Sequence, residues 1–305
     1  MESLSIITPC YNEEKNLQDC VSEVLKVLGD LNFEHIFIDN ASTDDSITEL
    51  RKLKKQYPHV RILQNSQNVG VFSSMQRALR MVQSEWVVPF FAADLQDPAY
   101  VLSEMIKKQK TTNCDSVFGV RASRVEKKWL LFLRSLFYKV LRTNSNNSYV
   151  NGTSEFCLIK SKIAIQIANI EDPNPFLRIY LSQLRGNVQY VKFRMVERKK
   201  GKSSANLYSL VDDALNAFSI ILPSIFSRIL VNSVIGVMIG AVVLLYSLID
   251  YIFLPLKFEK LSIIAVLVIG FSLLTGLISV VGHYVYIIHN QIRMKLNVAT
   301  SEITD

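Results

Sequence analysis

Asp94, Gln96 and Asp97 stand together where a hydrophobic run, Trp86 to Ala93, breaks off, and Pro98 closes the segment. Carboxylate and amide oxygens crowded at the end of a buried strand are what an α/β protein uses to hold a hard divalent cation and a phosphate. An acidic turn that merely ends a strand is the other reading of the same residues. Two more strand ends carry polar residues of the same kind. Leu4 to Pro9 runs into Cys10-Tyr11-Asn12-Glu13, and His35 to Ile38 runs into Asp39-Asn40-Ala41-Ser42. Three strand ends converging on oxygen-bearing side chains point to one ligand site more strongly than any of them alone.

The elements that must position these residues follow from periodicity. Strands are expected at Leu4–Pro9, His35–Ile38, Val60–Leu63 and Trp86–Phe91. Helices are expected at Glu14–Leu28, where apolar residues recur at Leu17, Val21, Val24, Leu25 and Leu28, at Asp44–Tyr57, and from Asn68-Val69-Gly70 to about Val82. Strands alternating with helices of this length predict βαβ units and a mainly parallel sheet, whose ligands sit beyond the carboxyl ends of the strands. Neither a G-x-G-x-x-G turn nor a P-loop is present, which argues against a dinucleotide fold or a Walker-type kinase. No internal repeat or low-complexity tract interrupts the pattern.

The C-terminal part is of another composition. The 305 residues are 49% hydrophobic, and the excess is concentrated: Ile229 to Ile249 has no charged residue, and Leu261 to Gln291 has none apart from two histidines. A hydrocarbon core about 30 Å thick needs roughly 20 helical residues, so each run is expected to span a membrane. Gly236, Gly240, Gly270, Gly276 and Gly282 would let such helices pack closely, within one chain or in a homo-oligomer. The start of the chain has no basic, signal-like region, so the first 220 or so residues are expected in the cytoplasm, with two spans returning the C-terminus to that side. Arg228, Arg293 and Lys295 suit cytoplasmic flanks.

The net charge of +7 gathers in Lys127 to Arg142 and Lys192 to Lys202. Such clusters suit anionic headgroups or the phosphate of a lipid or nucleotide, and no nucleic acid partner is expected. Trp129, Leu130, Leu133, Leu136, Phe137 and Val140 lie near one face of a basic helix, read either as an interfacial helix or as a core-packed one. Leu207 to Ile221 is a second amphipathic stretch, leading through Pro223 into the first span. Cys10, Cys20, Cys114 and Cys157 lack metal-type spacing and read as reduced cytosolic thiols.

Taken in order, these pieces resemble the polyprenyl-phosphate glycosyltransferases of the inverting GT-A class, the group of the bactoprenol glucosyltransferases and dolichol-phosphate mannose synthases. The matching motifs are Ile7-Thr8-Pro9-Cys10-Tyr11-Asn12-Glu13-Glu14, Ile38-Asp39-Asn40-Ala41-Ser42-Thr43-Asp44, Asn68-Val69-Gly70, Ala92 to Pro98, and Phe118-Gly119-Val120-Arg121. The resemblance implies a Rossmann-like GT-A domain with a mainly parallel sheet over residues 1–205. It also implies juxtamembrane amphipathic helices over 206–228, a two-helix transmembrane domain over 229–292, and a cytoplasmic tail over 293–305. The implied location is the inner membrane, multi-pass, with the catalytic domain cytoplasmic.

Carried over residue by residue, the resemblance places Pro9, Tyr11, Glu13, Asp39 and Asp94 around the nucleotide sugar. It gives Asp94 and Gln96 to Mg²⁺ or Mn²⁺, and Arg121, Arg198 and Ser203 to the acceptor phosphate. Asp94, Arg121 and Glu155 are the expected catalytic set, and Asp97 either supports the acceptor site or shapes the turn. For Asp39 the alternative is a turn or N-cap role, and for Arg198 and Ser203 a solvated basic loop. Three departures stand out. Ala92 replaces an expected Asp; Ser154-Glu155-Phe156-Cys157-Leu158 keeps an acid but has Cys157 for Arg; and Ser203-Ser204-Ala205 replaces a Ser-Lys-Tyr ending.

The implied reaction is a single displacement in which a polyprenyl (undecaprenyl) phosphate oxygen attacks the anomeric carbon of a nucleotide sugar, with inversion. UDP-glucose is the expected donor. UDP-N-acetylhexosamine, UDP-aminoarabinose and GDP-mannose are alternatives, and lipopolysaccharide or O-antigen modification is the expected downstream use. A processive polysaccharide synthase is disfavoured because neither Trp86 nor Trp129 lies in a Gln-x-x-Arg-Trp motif. A membrane-anchored protein that binds nucleotide sugars without catalysis is the remaining rival, which Ala92 keeps open.

Overall fold

The computed structural model describes residues 3–121, 153–169, 186–198, 207–253, 255–292 and 300–303. The basic segment Lys127–Arg142 and Ser203 lie outside them. The chain divides into two units, Met1–Leu210 with Lys295–Asp305, and Val211–Met294.

The first unit is built on the expected strand–helix alternation: β1 (Leu4–Cys10), α1 (Glu14–Leu28), β2 (Phe33–Asp39), α2 (Ser46–Gln56), β3 (Val60–Asn65), α3 (Val71–Leu79), β4 (Trp86–Val88), α4 (Tyr100–Thr112) and β5 (Ser116–Arg121). Then follow β6 (Thr153–Lys160), α5 (Ser161–Ala168), β7 (Val188–Phe193) and, beyond the second unit, β8 (Thr300–Ile303). The described strands form one sheet in the order β7-β5-β6-β4-β1-β2-β3-β8. Strands β4, β1, β2 and β3 are mutually parallel, as are β5 and β7, while β6 and β8 pair antiparallel with their neighbours.

Both faces of the sheet are covered, which explains why its strands read as nearly continuous apolar runs. Leu4, Ile6 and Phe37 point into a core with Leu17, Val21 and Val24 of α1 and Val101 and Met105 of α4. Ile7, Ile36 and Ile38 point the other way, against Met75 and Ala78 of α3 and Ile167 of α5. Fourth-strand pairing ends at Val88, short of the expected Phe91, because Pro89 has no N–H to give the ladder. Phe91 still donates its N–H to Ile7 O at 2.8 Å, so the chain stays beside β1 as far as the acidic turn.

Two features of this sheet are absent from the alternation pattern. Antiparallel β6 brings its first residues, including Glu155, to the level of Gly119 and Val120. The expected tail carries β8, which covers the β3 edge, a device that blunts an exposed strand. Arg61 holds it there, pairing with Glu302 at 3.0 Å and with Glu34 at 2.6 Å.

His35 shows how dry this core is. It is fully buried, stacked on Phe37 at 4.1 Å, and its Nε2 meets Thr8 Oγ1 at 2.8 Å. Burial, and secondarily His59, holds its pKa down at about 3 against an ordinary 6.5. Between those values only the unfolded chain binds the proton. Stability is therefore complete above pH 6.5 and falls as the pH drops toward 3, by at most about 1.4 kcal/mol per pH unit. Urea midpoints at pH 7, 6 and 5 should fall in step for the wild type, and His35→Gln should flatten that dependence. Parallel slopes in the two proteins would contradict this assignment.

The second unit is a helical hairpin, α6 (Leu207–Phe253) and α7 (Pro255–Ile292). Helix α6 runs without a break through Pro223, so the stretch expected to be amphipathic and the first long apolar segment lie on one helix. Two segments are long and apolar enough to cross a membrane, Ile225–Ile249 and Leu261–Ile288, with mean hydropathies of 2.4 and 2.6. Only 11% and 17% of their most apolar windows are buried, which is not how the core helix of a soluble protein sits. The hairpin closes on small residues: a Cβ at Gly236 would meet Ser272, at Gly240 Ile269, and at Gly276 Ser233. Gly270 faces open space.

Candidate functional site

The site forms where β1, β2 and β4 end. Cys10 is in register with Asp39, and the Asn40 N–H returns to Cys10 O at 2.9 Å, so the loops after β1 and β2 leave the sheet side by side. Side chains then lace them together. Asn12 Oδ1 accepts the Thr43 N–H at 2.8 Å, Ser42 Oγ accepts the Asn12 N–H at 3.0 Å, and Ser46 Oγ accepts the Glu13 N–H at 2.9 Å. Asn12 and Ala41 sit at φ 58° and 59°, left-handed conformations that tight polar turns enforce.

The Asn68-Val69-Gly70 motif has a legible purpose. Asn40 Oδ1 accepts the Val69 N–H at 3.0 Å, Asn40 Nδ2 donates to Asn68 Oδ1 at 2.8 Å, and the Gly70 N–H returns to Asn68 Oδ1 at 3.0 Å. Gly70, at φ 80°, makes that turn without a side-chain clash. The third loop is thereby pinned to the end of β2.

Asp94 begins a tight turn in which its own Oδ1 accepts the Gln96 N–H at 3.2 Å. Leu95 between them has φ 56°, a costly conformation for a bulky side chain and typical of places where geometry outranks comfort. Gln96 O accepts the Val196 N–H at 3.0 Å, tying the segment after β7 to this turn. That contact delivers Arg198. Its Nη2 lies 2.7 Å from both Glu13 oxygens and its Nη1 3.7 Å from Asp94 Oδ2, with these side chains only 13–17% exposed. Arg198 therefore joins two acids expected on the donor side, a proximity that its basic sequence context did not announce.

Arg121, at the end of β5, meets a different acid. Its Nε and Nη2 donate to Asp97 Oδ1 and Oδ2 at 3.1 and 2.8 Å, and the Asp97 side chain is fully buried. Burial pushes the Asp97 carboxyl above the usual range, Arg121 pulls it back, and Glu155 and Asp94 push it up again. Glu155 is itself buried on β6.

The remaining expected residues divide. Pro9 is partly buried and Tyr11 is 42% exposed at the mouth of the same loops. Asp39 is fully buried, and its carboxylate accepts the Ser42 N–H at 3.3 Å, so in this structure it shapes the turn. Cys10 and Cys157 are held protonated, chiefly by burial, and cannot serve as thiolate ligands or nucleophiles. Among the described residues no three His, Cys, Asp or Glu converge as a metal cluster.

The profile of glycosyl transferase family 2 matches residues 5–168. The chain belongs to that family. This glycosyltransferase is 26% identical over 304 residues to an uncharacterized glycosyltransferase of Synechocystis sp., covering 96% of this chain and 92% of the relative. It is 25% identical over 293 residues to the bactoprenol glucosyl transferase of Shigella phage SfX, covering 92% and 93%. Among solved structures it is similar to the mannosyltransferase PcManGT from Pyrobaculum calidifontis in complex with GDP-Man and Mn²⁺, at 18% identity and a TM-score of 0.46, covering 74% of this chain and 63% of that one. The family match bears out the enzyme class expected from the motifs, and the mainly parallel sheet with helices on both faces is the architecture expected with it.

Proposed function

We propose that this glycosyltransferase moves a hexose, glucose from UDP-glucose in the leading version, onto a polyprenyl phosphate with inversion at the anomeric carbon. The observation that carries the reading is the division of the 92–98 turn. Asp94 faces Glu13 and Arg198, while Asp97 three residues on holds Arg121. In this reading the acid beside Glu13 and the acid that holds Arg121 lie on one short loop, in a chain that also has two helices of membrane length. Full-length similarity to a bactoprenol glucosyl transferase supports the same acceptor class.

In this reading Pro9, Tyr11, Glu13 and Asp39 frame the nucleotide, with Asp39 acting through the turn it shapes. Asp94 and the Gln96 amide oxygen fit a divalent cation, Mg²⁺ or Mn²⁺, because such ions accept one carboxylate when diphosphate oxygens and water complete the shell. Ala92 adds no ligand, so the ion is expected to arrive with the donor. Held there, such an ion would supply positive charge against the departing diphosphate. Arg121, Arg198 and Ser203 hold the acceptor phosphate, an arrangement that lets two anionic groups approach. The phosphate oxygen forms a bond to the anomeric carbon as the bond to the diphosphate oxygen breaks. A phosphate nucleophile is already ionised near neutral pH, so Glu155 is needed for local polarity and orientation more than as a strong base.

In this reading the catalytic unit is cytoplasmic on the inner membrane. Strand β8, which follows the second apolar helix, pairs with β3, which precedes the first, and this pairing supports two spans that return the chain to the side it started from. The test is direct. Purified protein in detergent, given labelled nucleotide sugars one at a time, should carry label into the lipid phase only when polyprenyl phosphate is added, and most strongly with UDP-glucose. No lipid-phase label with any donor would overturn the reading.

A further inference from the structure

Asp97 is fully buried, as Asp39 is, yet its hydrogen bonds go to Arg121 and not to an expected donor or metal position. Its environment explains what it is for. A carboxylate with no solvent contact is costly unless paired and hydrogen-bonded, and here one guanidinium supplies both bonds, at 3.1 and 2.8 Å. The two-pronged contact uses the Nε–Nη2 edge of Arg121 and sets the plane of the guanidinium. The Nη1 donors at its other edge are then offered in one fixed direction.

We infer that Asp97 is the positioning residue for Arg121: it holds the guanidinium in the orientation that receives the acceptor phosphate. The inference rests on the reading of Arg121 as an acceptor-phosphate residue. The anchoring also explains why the turn is strained. Placing Asp94 toward Glu13 and Asp97 toward β5 within four residues requires the chain to reverse at Leu95, where φ is 56°. One turn thereby sets the spacing between the donor acids and the acceptor arginine. Orientation of this kind acts on catalysis steeply, because small misplacements of a reacting group cost large factors in rate.

The test is steady-state kinetics on full-length protein in detergent with polyprenyl phosphate varied, together with equilibrium binding of the nucleotide sugar. Asp97→Asn keeps the shape but loses the charge and one acceptor lone-pair arrangement. It should raise the KM for polyprenyl phosphate about tenfold or more while changing donor affinity less than about threefold. Arg121→Gln should do the same, and Asp97→Asn/Arg121→Gln should be no worse than Arg121→Gln alone, because the acid acts through the arginine. A purely structural ion pair would instead weaken donor binding and acceptor use alike.

Asp97→Asn with wild-type acceptor KM, beside an Arg121→Gln protein that has lost acceptor affinity, overturns the inference and leaves the function standing. Arg121→Gln with wild-type acceptor KM overturns the reading of Arg121 itself. Should Asp97→Asn fail to bind donor, Asp97→Glu carries the test. It keeps the charge on a longer arm, and the same selective rise in acceptor KM is expected, while a wild-type value counts against the inference.

Discussion

Asp94→Asn should lower kcat by about a thousandfold, equivalent to about 4 kcal/mol of transition-state stabilisation, and leave the fold intact. The asparagine Oδ1 can still accept the Gln96 N–H, so the turn survives, and only the charge is lost. That charge pairs with Arg198 at 3.7 Å and, in the proposed reading, holds the divalent cation. It is the single carboxylate of the turn that faces Glu13 and Arg198, and Ala92 supplies no substitute. Turnover is measured with saturating donor and acceptor, and the fold by the thermal midpoint, which should move by no more than a few degrees. An Asp94→Asn enzyme that keeps more than a tenth of wild-type kcat would show that the charge is not used in the reaction.

Arg198→Ala is the second large effect, about a hundredfold in kcat/KM. The guanidinium is only 17% exposed and bridges two carboxylates, one of them through both oxygens at 2.7 Å. Removing it leaves Glu13 and Asp94 as neighbouring negative charges where an anionic donor and an anionic acceptor must both enter. Lysine at this position keeps the charge but cannot make the forked contact, so Arg198→Lys should fall between wild type and alanine. Initial rates at low concentrations of each substrate in turn measure the loss. Equal activity of the lysine and alanine variants would contradict a role based on charge.

Much of this architecture is written locally and so could be read along the chain. Ile6, Ile7, Phe37 and Ile38 announce strands buried on both faces, and Leu17, Val21 and Val24 announce the helix that covers them. The two long uncharged runs are equally plain, and they form the apolar stretches of α6 and α7. What escaped the reading is long-range. Strand β8 is four residues of modest polarity, and its pairing depends on Arg61 meeting Glu302, 241 positions away. The Arg198–Glu13 contact joins positions 185 apart, through a backbone bond at Val196 that no side-chain pattern encodes. Asp39 shows the converse: its position at a strand end was evident, while its burial beneath the Ser42 turn was not.

The site residues were legible as a set because the motifs fall at the ends of strands that the fold must bring together. Their pairing was not legible. Asp94 and Asp97 look alike in sequence, three positions apart, and the strained turn at Leu95 sends them to opposite partners. In the proposed reading that separation lets one loop serve two anionic substrates.

Direct displacement by the lipid phosphate on a donor held at Asp94 fixes the anomeric configuration of the product. Purified enzyme should convert polyprenyl phosphate and an α-linked nucleotide sugar into a lipid-phosphate sugar. A β linkage is expected, read from the anomeric proton coupling by NMR. An α-linked product would contradict a single displacement.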